Sequence, residues 1–198
     1  MIPIFTIAMI VFIVLLKMTI NKNNHSNEEA ESAFWERERQ ANFTRKQDIS
    51  TLDYITIPLD KFPLNLGTES ENALKELSGA KILNLTGISN TDLKLTYGVA
   101  NLEPLTEYDG NFTRLVQVLA SYGKELADAG QTADAQTVLE FAVSIHADSK
   151  QIYTQLAELY RDGNHPEKIA DLIASAEELV SISKTGILAA LAKIQESA

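Results

Sequence analysis

Apolar and polar positions follow four successive patterns along the chain. Residues 1–16 (MIPIFTIAMIVFIVLL) are apolar and carry no charge, while 27–41 are rich in Glu, Ala, Arg and Gln. Residues 52–59 (LDYITIPL) alternate Ile55, Ile57 and Leu59 with Tyr54 and Thr56. From Thr91 onward apolar residues recur every three or four positions. These spacings predict, in order, an apolar helix, a charged helix, a short extended segment and a series of amphipathic helices.

The polar run 21–27 reads as a linker, and Ser26 with Glu29 fits a capping box for the charged helix. Pro58 confines the extended segment to an edge, because it has no N–H to donate. Thr68 and Glu71 are spaced to cap a helix over 69–77 that closes at Gly79, and 81–85 (KILNL) is a second short apolar run. Residues 50–90 are thus either a strand–helix–strand unit or ordered coil. Leu93, Tyr97 and Ala100 then share a helix face, Pro104 suits the first turn of a new helix or kinks one already running, and Asp109-Gly110-Asn111 reads as a turn and cap. Beyond it the pattern predicts helices over 112–129, ended by Gly130, and over 134–145. Further helices follow over 149–161, 166–179 and from 184.

Within these helices Leu119, Tyr122, Gly123, Leu126, Ala135, Leu139 and Ala142 have counterparts 34 residues later in Tyr153, Leu156, Ala157, Tyr160, Ile169, Ile173 and Ala176. Ile187, Ala190, Leu191 and Ile194 continue the register from Tyr153, Leu156, Ala157 and Tyr160. This arrangement resembles the tetratricopeptide repeat (TPR) family, in which large residues fill the gap between helical hairpins and small ones sit where helices cross. The resemblance covers about 112–194. It departs from the family pattern in lacking the repeat-ending proline, in placing Ile169 at a usually small position, and in having Gly163 one residue earlier than Gly130. Together with the apolar run and the charged segment before it, this gives a mainly α chain: an N-terminal transmembrane helix (1–20), a linker and charged juxtamembrane helix (21–49), and, from the resemblance, a TPR-like solenoid (50–198). The last divides into a small N-terminal cap (50–108), repeat 1 (112–146), repeat 2 (149–182) and a capping helix (184–196), with the N-terminal cap covering the open face of repeat 1. The resemblance also implies a concave groove lined by Gln117, Lys124 and Asp128 from one repeat and by Gln151, Thr154, Glu158 and Arg161 from the next. Such a groove takes a peptide or helix.

The apolar run itself points to a membrane anchor. At 1.5 Å per residue, 1–20 spans about 30 Å, the thickness of a hydrocarbon layer. No basic residue precedes the run and no small-residue cleavage site follows, which argues against a removed signal peptide. Lys17, Lys22, Arg37, Arg39, Arg45 and Lys46 all follow it, so the rule for basic flanks places the N-terminus outside and the C-terminal domain in the cytoplasm. Phe34 and Trp35 form an aromatic pair in the charged helix. They read as a juxtamembrane or partner contact, or as aromatics packed onto the following domain.

Composition narrows the partners. A net charge of −10 without a basic stripe speaks against nucleic acid. With no cysteine there is no disulfide framework and no thiol nucleophile. His25, His146 and His165 fall in no zinc-ligand spacing, and neither a nucleophile elbow nor a phosphate-binding glycine loop is present. The sequence therefore predicts a non-enzymatic, cofactor-free and metal-free scaffold. Its partner is a peptide or protein brought to the membrane, with a second copy of the chain as another candidate. The alternative is a structural subunit holding a permanent apolar interface, and a more distant one an enzyme of unrecognised type.

Overall fold

The computed structural model describes the backbone of residues 4–197 and the side chains of 9, 12, 13, 15–18 and 28–197. Among these residues the chain is mainly helical and contains no strand. The helices are α1 (Ile4–Phe43), α2 (Glu69–Leu77), α3 (Asn90–Tyr97), α4 (Leu102–Asp128), α5 (Thr132–Ser144), α6 (Lys150–Asp162), α7 (Glu167–Glu177) and α8 (Lys184–Glu196). Contacts divide the chain into two compact units. One comprises the residues up to Asp48 with Ser89–Leu102, and the other Ile49–Ile88 with Glu103–Ala198.

In the first unit α1 is continuous through 21–27, so the predicted linker is not a break. Starting a helix is the unfavourable step, and extending one through a few polar residues costs only tenths of a kcal/mol for each. Among the described residues no helix is long and apolar enough to cross a membrane. Much of the predicted anchor, 1–20, lies outside the described side chains, and residues 1–3 lie outside the described residues altogether. The charged half of α1 is tied to α3 by ion pairs from Arg37 to Asp92 and from Glu38 to Lys94, and by Thr91 Oγ1 donating to Glu38 Oε2 at 2.7 Å. The Lys94 and Thr91 hydrogen bonds hold the Glu38 carboxyl below its usual range. Asn101, fully buried, donates from Nδ2 to the carbonyls of Gln47 and Tyr97 and closes this unit.

The second unit holds the main core. Leu115, Leu119, Tyr122 and Leu126 of α4 are fully buried with Ala135, Val138, Leu139 and Ala142 of α5 and with Ile152, Tyr153 and Leu156 of α6. Helix α6 packs against α5, α7 and α8, and α7 against α8. The ends of α4, α5 and α6 are closed alike. Gly130, His146 and Asn164 take left-handed φ values of 77°, 56° and 59°. The next N–H in each case reaches back five residues: Gln131 to Leu126, Ala147 to Ala142 and His165 to Tyr160. This is the Schellman closure. Asn164 stands 34 residues after Gly130, so asparagine fills the left-handed place while Gly163 keeps φ −82°. The apparent offset of Gly163 is thereby removed.

In this unit one expectation is corrected and one open alternative is decided. Asp109-Gly110-Asn111 is not a turn, because α4 runs through it. The polar side chains serve a neighbouring segment instead: Asp109 Oδ1 accepts from Leu85 N at 3.0 Å and Asn111 Nδ2 donates to Lys81 O at 3.0 Å. The strand–helix–strand unit also does not form. Ile55 N bonds Ile82 O at 3.0 Å, so the two apolar runs do meet, but no ladder extends from that bond. Pro58 has no N–H to continue it, Leu85 N is taken by Asp109, and Asn84 Oδ1 curls the chain by accepting from Thr86 N. The helix between the runs has the predicted bounds, with Thr68 Oγ1 accepting from Glu71 N. Ile57, Phe62, Leu74, Leu77 and Ile82 join the core of α4 and α5, and Phe62 meets Phe141 edge to face at 5.5 Å.

Two buried tyrosines differ in a way that stability measurements will register. Tyr122 donates its hydroxyl to Pro63 O, whereas the Tyr153 hydroxyl is buried with no hydrogen-bond partner among the described residues. Burial pushes both phenols up to about 12, helped by Glu71, Glu125 and Asp134 near the first and by Asp148 and Glu178 near the second. Tyr153→Phe is therefore expected to leave stability unchanged or raise it by about 1 kcal/mol, and Tyr122→Phe to lower it by a similar amount. Urea unfolding of the two full-length variants measures the contrast. A Tyr153→Phe loss as large as that of Tyr122→Phe would show that Tyr153 has a partner.

Candidate protein-interaction site

The predicted groove residues lie on the first helices of the two hairpins, α4 and α6. Gln117, Lys124, Asp128, Gln151 and Glu158 are exposed, and Thr154 and Arg161 are half-buried. Gln117 and Gln151 occupy matching places, as do Lys124 and Glu158. Most of these side chains already have neighbours within their own helix. Lys124 pairs with Asp128 one turn on, Arg161 with Asp162 at 2.9 Å, and Thr154 donates to the Lys150 and Gln151 carbonyls. Neither Gln117 nor Gln151 offers its side chain to another described side chain.

Phe34 and Trp35 are 53 % and 57 % exposed and touch each other edge to face at 5.3 Å, with Trp35 Nε1 donating to Glu31 at 3.3 Å.

A cleft the sequence did not disclose lies where α5, α6 and α7 meet. Its volume is about 220 Å³, with Val143, Leu156 and Leu172 as apolar lining and Glu140, Tyr160, Lys168, Asp171 and Ser175 as polar lining. Tyr160 Oη donates to Glu140 Oε1 at 2.7 Å. Lys168 Nζ lies 3.6 Å from the same carboxylate oxygen and 5.0 Å from the centre of the Tyr160 ring. Desolvation and the Glu140 hydrogen bond raise the Tyr160 hydroxyl pKa far above its usual value, so the phenol remains a donor to the carboxylate. The spacing of Lys168, Asp171, Leu172 and Ser175 on α7 marks one helix face in the sequence. Bringing Glu140 opposite them required the packing of α5 on α6, which no local signal carries.

Among the described residues no group of His, Asp or Glu is placed to hold a metal ion. No protein family, no curated relative and no solved structure matches this chain.

Proposed function

We propose that the chain is a membrane-tethered scaffold that recruits a peptide or protein partner through its helical unit. The N-terminal apolar run is the tether, with the N-terminus outside and the helical unit in the cytoplasm. One observation carries the interaction reading. Successive α-hairpins, closed by the same left-handed turn 34 residues apart, leave polar side chains exposed at matching places on α4 and α6. A TPR-like groove is built in this way, and tethering raises the effective concentration of a bound partner near the membrane.

The test uses the full-length chain in its native membranes. It should resist carbonate extraction, and a partner crosslinked to it should be lost on Gln117→Leu together with Gln151→Leu. These exposed changes are expected to alter stability by no more than about 0.5 kcal/mol. Extraction into the supernatant would end the tether, and a partner retained by the double variant would end the groove.

A specific observation keeps the structural-subunit reading in view. Ile88, Val180 and Ile182 are 47 %, 78 % and 101 % exposed, and the Gly87 backbone lies against Val180. Ile88 and Ile182 lie beside that contact in sequence, and exposed apolar side chains of this kind are ones a permanent partner would cover. Ile182→Ser dissolves the complex on that reading and leaves it intact on the first.

A further inference from the structure

We infer that the α5–α6–α7 cleft is a receptor for an arginine side chain of a partner protein. This rests on the interaction reading above and names a second surface, separate from the α4–α6 groove. Three properties converge on that occupant.

The first is size. Pockets for whole small molecules are roughly 300–1,000 Å³. The cleft, at about 220 Å³, holds one side chain instead.

The second is charge. The lining carries the carboxylates of Glu140 and Asp171 against the single ammonium of Lys168. Glu140 is engaged by Tyr160 and Lys168. Asp171 forms no ion pair with a described residue, so one carboxylate at the rim is left over. Across the helical unit acidic residues outnumber basic ones two to one, and they account for the whole net charge of −10. An anionic ligand is repelled and a cationic one drawn in.

The third is shape chemistry. The chain already places a cation here, since Lys168 lies over the Tyr160 ring and beside Glu140. A guanidinium uses the same features better. It is planar, stacks on an aromatic face, and offers a fork of N–H groups to a carboxylate. Its aliphatic stem would rest on Val143, Leu156 and Leu172. Lys168 is half-buried on a flexible stem and acts as an internal placeholder that an incoming arginine displaces.

The probe is the peptide acetyl-Leu-Arg-Leu-amide, with citrulline in place of arginine as its neutral isostere. Amide resonances of ¹⁵N-labelled full-length chain in detergent micelles are followed during titration. The arginine peptide should shift resonances of Val143 and of Lys168 to Ser175, and citrulline should bind at least tenfold more weakly. Asp171→Asn should weaken arginine binding about fivefold or more, and Lys168→Gln should tighten it by removing the competitor. Both residues lie at the cleft rim, so melting temperatures near that of the parent confirm folding. If arginine and citrulline peptides bind alike, or neither shifts the cleft, or Lys168→Gln weakens binding, the inference is overturned. None of those results touches the groove on α4 and α6, whose own test depends on Gln117 and Gln151.

Discussion

A Gly123→Leu chain is expected to melt about 6–12 °C below the parent, from a loss of about 3 kcal/mol spread over a unit of this size. Gly123 is buried in α4, and a Cβ built there would lie 2.6 Å from Leu139 Cδ2 and 2.8 Å from Leu139 Cγ on α5. Those distances are too short for any Cβ, and Leu139 is fully buried, so its side chain must be displaced within the packed core or the helices must move apart at that point. Even Gly123→Ala should lose stability, although alanine in a helix interior ordinarily gains about 1 kcal/mol over glycine. The control is in the same helix. Gly110 is exposed and has nothing within 4 Å of its Cβ position, so Gly110→Ala should show that ordinary gain. Opposite signs for one substitution at two places in α4 test the packing directly. Combining Gly123→Ala with Leu139→Ala should cost less than the two changes summed, since the second makes room for the first. Full additivity in thermal melts would show that the helices do not meet there.

The second large effect centres on Glu71, which is 2 % exposed. Its Oε2 accepts from the backbone N–H groups of Leu66 and Gly67, both at 2.9 Å, while Oε1 accepts from Lys75 at 2.6 Å. This carboxylate fastens the loop before α2 to the helix. Glu71→Ala leaves two partly buried N–H groups without acceptors and should cost about 3 kcal/mol. Glu71→Gln keeps an oxygen for both N–H groups and loses only the charge-assisted bond to Lys75, so about 1 kcal/mol is expected. The Lys75 hydrogen bond, with those from Gly67 and Leu66, holds the carboxyl below its ordinary value. A lowered folded-state pKa contributes stability that is fully present above the unfolded value, near 4.3, and is lost as pH falls through the folded value. Stability between about pH 5 and pH 3 should therefore fall more steeply in the parent than in Glu71→Gln. Urea midpoints across that range measure it, and parallel pH profiles would show that Glu71 is not the carboxylate responsible.

How far local pattern reaches is clear from particular elements. The bounds of α2 follow from Thr68, Glu71 and the apolar positions Leu74 and Leu77, because a capped amphipathic helix is a local object. The helices from α5 to α8 fall where periodicity and breakers place them for the same reason. Asp109-Gly110-Asn111 misleads, since its side chains answer to Leu85 and Lys81 across the fold rather than to their own backbone. The residues 81–85 leave strand and ordered coil open. Their composition favours a strand, but the neighbouring carbonyls and carboxylates that would decide it lie far away in sequence.

The sequence by itself determined the helical series, the 34-residue register and the identity of the close-packed position Gly123. These depend on spacing and on side-chain size, which can be read residue by residue. Only the tertiary structure decided that 90–101 pairs with α1 while 49–88 packs on α4 and α5, and that Asn164 takes the left-handed turn. It also decided that Glu140, Tyr160, Lys168 and Asp171 share one cleft. Each of these is a contact between separate helices or loops, and such contacts are set by how whole faces fit together, a property that no short stretch of chain contains.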